Sequence, residues 1–100
     1  GIGFVIGDAH AALADQLVQI TQGAVLRSSE TCWASSSFSG ARHRYVIGLR
    51  DAAALPALAG LGEREFELSG HIVADIALVG RTWHARSCQV TIEALTVEDA

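Results

Sequence analysis

One hundred residues, half of them apolar and 18% charged, make a chain long enough to bury its own core as a single domain. The formal charge of −4 and a pI near 5.4 speak against a nucleic-acid partner, which would need clustered positive charge. No apolar run approaches the ~20 residues of a membrane span, so no membrane partner is expected either.

The opening Gly1-Ile2-Gly3-Phe4-Val5-Ile6 has neither the basic n-region nor the apolar length of a signal peptide, and a cytoplasmic location is the expectation. Gly1 in place of Met points to a processed or excised chain. Every basic residue is Arg, which the codon usage of a GC-rich, bacterial-type genome explains. Arginines chosen for bidentate anion contacts would cluster, and mostly these do not.

Ile2 to Ile6 reads as a short strand that Gly7-Asp8 interrupts, with Asp8 placed to cap a helix. From Ala9 to Gln22, Leu13, Leu17 and Ile20 recur at helical spacing, His10 falls among the polar positions, and Gly23 offers a stop. Ala24 to Trp33 has the look of a polar strand. The serine-rich stretch from Ala34 to Ser37 then turns the chain, and Phe38 to Leu49 forms a second strand. Tyr45, Ile47 and Leu49 share one face of it; Arg42 and Arg44 share the other. Asp51 to Leu61 suggests a second helix, short or distorted because Pro56 sits inside it.

Glu65 to Val79 alternates clearly, with Phe66, Leu68, Ile72, Ile76 and Leu78 inward and Val73, Ala77 and Val79 outward. Trp83 to Val97 is its partner, with Val90, Ile92 and Ala94 inward. A three-residue loop, Gly80-Arg81-Thr82, pairs Ile72 with Val90 and keeps apolar side chains on one face. The order β-α-β-β-α-β-β predicts an α+β domain over residues 1–100, an antiparallel sheet with two helices on one face, ferredoxin-like or a close variant.

Few residue patterns point to chemistry. The glycines at positions 1, 3 and 7 have the wrong spacing for a dinucleotide fingerprint, and Asp8 would repel an anion. His10, His43, His71 and His84 show no HxH, HxxxH or HExxH spacing, so neither a metal nor a cofactor is expected. His71 and Asp75, four residues apart on one strand, stand ~13 Å from each other, too far for a direct pair. The serine turn lacks the GxSxG elbow of a nucleophilic serine and reads as an ordinary polar loop. Cys32 has His43 on the adjacent predicted strand as its one conceivable base. The two thiols, Cys32 and Cys88, form no secreted-type framework and are expected free.

The run Arg42-His43-Arg44 offers two cations on one sheet face for a carboxylate or phosphate, with cross-strand pairs to Glu65 and Glu67 as the blander use. Val73, Ala77, Val79 and Trp83 give the outer face an apolar share suited to an oligomer interface. The expectation is a non-catalytic module that self-associates, most simply as a dimer, or binds a partner. The alternative is a small enzyme or ligand-binding domain, ligand unspecified, with a cleft built from Arg42, His43, Arg44, His71 and Cys32.

Overall fold

The computed structural model describes residues 8–84 and 87–99; the expected strand at Ile2–Ile6 lies outside them. The elements are helix α1 (Ala9–Thr21), strands β1 (Ala24–Ala34) and β2 (Ser39–Leu49), two short 3-10 helices (Ala52–Leu58 and Leu61–Glu63), and strands β3 (His71–His84) and β4 (Ser87–Glu98). The strands form one antiparallel sheet in the order β1-β2-β4-β3. Among the described residues no helix is long and apolar enough to cross a membrane.

Helix α1 starts where the sequence predicts. The Asp8 carboxylate accepts a hydrogen bond from the Ala11 N–H at 3.1 Å, satisfying one of the free donors of the first turn. Ala9, Leu13, Leu17 and Thr21 turn to the sheet and are buried. The stop differs in detail: Gln22, not Gly23, takes the left-handed conformation, with φ at 57° and its N–H on the Val18 carbonyl. Gly23 is needed for another reason, because a Cβ there would collide with the Gly48 carbonyl where the chain passes β2.

The helix covers one face of the sheet. On β2, Tyr45, Ile47 and Leu49 point into the core, opposite Ile92, Val90 and Cys88 of β4. The second predicted helix is 3-10 throughout. Pro56 lies within it and has no N–H to give, so the segment closes by shorter bonds such as Ala59 N–H to the Pro56 carbonyl. Leu58 and Leu61 complete the core from this side.

Three expectations are corrected here. A ferredoxin-like plait would place the first strand between β2 and the last strand, but β2 pairs directly with β4 along its length. Strand β4 is therefore central, and β1 and β3 are the outer two of the described strands.

The final hairpin is also shifted. β3 starts at His71 and runs to His84, which pairs with Ser87, so Ile72 faces Val97 rather than Val90. Phe66 and Leu68 precede the strand and pack on the core from coil.

Finally, two bulges, between Val73 and Asp75 and between Leu78 and Gly80, each insert a residue and reverse the alternation. Val73 consequently packs against the core while Ile72 is 53% exposed on the other face, the reverse of the predicted assignment. Face consistency across the hairpin is achieved by bulges instead of by an odd loop.

Candidate functional site

At the helix-covered face, four elements bring together the polar side chains of His10, Ser28, Glu30, His43 and Thr96. His10 sits in the first turn of α1. Ser28 and Glu30 alternate along β1 and stand opposite Tyr45 and His43. Thr96 lies on β4 beside Ala41, with its hydroxyl and the His43 ring buried. Two buried polar groups on a core face must find partners, and here they find each other.

The hydrogen bonds run as one directed chain. The Thr96 hydroxyl donates to the Ala41 carbonyl at 3.4 Å, so its oxygen accepts from His43 Nε2–H at 2.9 Å. Neutral His43 then presents a bare Nδ1, which accepts from His10 Nδ1–H at 2.9 Å. His10 Nε2 in turn accepts the Ser28 hydroxyl at 2.9 Å. Tyr45 stacks on His10 with ring centroids 4.7 Å apart, and its hydroxyl donates to the His10 carbonyl at 2.8 Å. This last bond ties the start of the helix to β2.

The environment keeps His43 neutral. Burial lowers its pKa below the ordinary histidine value; the His10 ring and His71 act in the same direction, and Glu30 opposes them. The Tyr45 hydroxyl is held above its ordinary range by burial, reinforced by the carboxylates of Glu30 and Asp8. Glu30 itself is exposed, as is Ser28, so one end of the chain of hydrogen bonds opens to water along β1. Chemically, the array presents a hydroxyl on an imidazole base, and two imidazole nitrogens with a carboxylate, all within 4.8 Å in the latter set.

The predicted cluster around Arg42 is divided by strand alternation. His43 faces the helix, whereas Arg42 and Arg44 lie on the open face of the sheet. Arg44 pairs with Glu93 on β4, the one ion pair among the described residues; Glu65 and Glu67, its expected partners, lie in coil after the second 3-10 helix. A shallow groove of about 350 Å³ runs over this face, lined by Arg42, Thr31 and Asp75 among others. Ala77 and Val79 line it too, while Val73 has turned to the core and Trp83 sits exposed opposite Cys88 near the hairpin end.

His71 is half-buried at the start of β3, its Nδ1 3.1 Å from the Ser69 carbonyl, and the bulge removes Asp75 from its face. His84, which a three-residue Gly80-Arg81-Thr82 loop would place opposite Leu78, instead pairs with Ser87 and is exposed.

Cys32 is exposed on β1 opposite Ala41, and Cys88 is buried on β4 opposite Leu49. Ala41 and Leu49 stand about 27 Å apart along β2, far beyond the ~4.4–6.8 Å Cα separation of a disulfide. A thiol reagent should therefore modify Cys32 alone in the native protein and both cysteines after denaturation. Fast modification of both under native conditions would show that the core around Cys88 is open.

No family model, no curated protein and no solved structure matches this chain.

Proposed function

We propose that this domain is a self-associating module that forms a homodimer through the open face of its sheet. The observation that carries this reading is the half-exposed apolar set on that face, Leu26, Ile72 and Val79, with no described element covering it. Burying an aliphatic side chain of this size against a partner contributes roughly 1.5 kcal/mol or more.

The charges on the same face favour a second copy as the occupant. Arg27, Arg42 and Arg44 occupy the β1-β2 half, and Asp75 and Glu93 occupy the β4-β3 half. A two-fold axis parallel to the strands stacks the basic half of one sheet on the acidic half of the other. It brings Arg42 of one copy near Asp75 of the other, because both residues lie in the row of Leu95.

Light scattering across protein concentration tests the proposal. The wild type should be dimeric, and Ile72→Arg with Val79→Arg should be monomeric with the fold retained. Arg42→Glu should weaken the dimer about tenfold, in line with the cost of juxtaposed like charges, and adding Asp75→Arg should restore it. A wild type that stays monomeric at high concentration overturns the proposal.

A second reading, a small enzyme or ligand-binding domain, draws on the hydrogen bond between Ser28 Oγ and His10 Nε2, the pairing that a nucleophile–base couple requires. Labelling of Ser28 by a serine-directed fluorophosphonate, abolished in His10→Gln, would support it. Absence of labelling would remove it.

A further inference from the structure

We infer that His10, Glu30 and His43 form a binding site for a divalent transition metal of the zinc type. The ligand atoms offered by these three side chains all lie within 4.8 Å of one another. Four-coordinate zinc, with bonds of about 2.0–2.1 Å, places its ligand atoms ~3.3 Å apart. The two imidazole Nδ1 atoms stand 2.9 Å from each other. Admitting the ion takes an opening of a few tenths of an ångström and a turn of both rings that aims their Nδ1 lone pairs at a common point off the line between them.

The outer nitrogens make the stronger case. Imidazole ligands are normally fixed by an acceptor on the ring nitrogen that does not touch the metal. His43 Nε2–H already donates to Thr96 Oγ1, and its inner Nδ1 is bare in the metal-free protein. His10 Nε2 lies 2.9 Å from Ser28 Oγ, a hydroxyl that can accept as readily as donate. Moving the His10 proton from Nδ1 to Nε2 leaves both inner nitrogens bare and both rings held from behind. The exchange involves no net loss of protons from the rings. Two neutral imidazoles and a carboxylate suit zinc, cobalt or ferrous iron, and three protein ligands leave a coordination position open. Glu30 is exposed on β1, so that position faces water.

The histidine pair on its own has a plainer account, a buried imidazole and a half-buried one satisfying each other. That account gives Glu30 no part, and the experiment turns on this difference. The full chain, freed of metal by chelation, is titrated with Co²⁺ and then Zn²⁺. One equivalent of Co²⁺ should bind, with the visible absorption of a four-coordinate ion, and Zn²⁺ should displace it. Glu30→Gln, at an exposed position, and His10→Gln, at a half-buried one, should each weaken binding at least tenfold while circular dichroism stays native. Ser28→Ala keeps all three ligands and should weaken binding by about tenfold, the lower end of the range for outer-shell partners. Cys32→Ser and His71→Gln should change nothing. Absence of stoichiometric binding overturns the inference. So does binding that survives both Glu30→Gln and His10→Gln, or that is lost in Cys32→Ser or His71→Gln. The site and the open sheet face are on opposite sides of the sheet, so a monomeric protein that binds metal, or a dimer that does not, separates this inference from the proposed function.

Discussion

Ile76→Ala should destabilise the domain by ~2–5 kcal/mol, whereas Ile72→Ala should cost less than about 1 kcal/mol in the monomer. The two residues lie on one strand and carry the same side chain. Ile76 is 3% exposed and sits opposite Ala94 within the core, with Tyr45, Leu78 and Ile92 in the same cluster. Truncating it removes buried methylenes and leaves a cavity that a close-packed core relaxes only in part. Ile72 is 53% exposed, on the open face opposite Val97, so little is lost when it is shortened. Urea denaturation at a concentration low enough to dissociate any dimer measures both. Equal losses would mean that the bulge between Val73 and Asp75 is not formed in solution.

That bulge marks the limit of what strand alternation discloses. Period-two patterning identified both strands of the final hairpin and oriented β4 correctly, since Val90, Ile92 and Ala94 are all buried. It failed on the first half of β3 because an inserted residue leaves the composition unchanged and only reverses the phase. Helix α1 was legible to the capping residue because one carboxylate and a helical apolar period specify the same start. The strand order was not legible. Whether β2 or β3 flanks β4 on a given side depends on the fit of whole faces, and no local pattern in the sequence encodes it.

The candidate site was legible only in fragments. His10 precedes Leu13 and Leu17 at helical spacing, so it belongs to the sheet-facing stripe of α1, although it was assigned to the polar set. His43 shares the parity of Tyr45 and Ile47, and Thr96 continues the series of Val90, Ile92 and Ala94. Each is a polar residue on a predicted core face, and three such positions in separate elements are the signal that was available. Spacing rules for metal ligands search along the chain and miss a set drawn from a helix and two strands. Arg42 and Cys32, by contrast, stood out in sequence because they are chemically conspicuous. Both lie on exposed positions of β2 and β1.

His43→Ala should cost ~2–4 kcal/mol at about pH 8 in the presence of a chelator, and that cost should shrink as the solution is acidified. At the higher pH the loss has two sources. Removing a ring that is 2% exposed leaves a void between β2 and β4, and His10 Nδ1–H loses the acceptor 2.9 Å away. Thr96 keeps its bond to the Ala41 carbonyl, so no third group is left unsatisfied.

The pH dependence follows from the direction of the His43 shift. Burial lowers its pKa in the folded protein, with the His10 ring and His71 adding to the effect and Glu30 partly offsetting it. The unfolded chain therefore takes up a proton near pH 6.5, before the folded protein does. Stability from neutral His43 is complete above about pH 6.5 and falls as the pH drops toward and below the folded value. A variant without the ring has no such proton to exclude, so the wild-type advantage must narrow over that window. Denaturation of both proteins at steps from about pH 8 down to pH 5 measures the difference, and taking the difference cancels the carboxylates that the two share. A gap that stays constant across the window would show that His43 is not held neutral by the core. The directed chain from Thr96 to Ser28 would then have to be redrawn, because its tautomers rest on a neutral ring at that position.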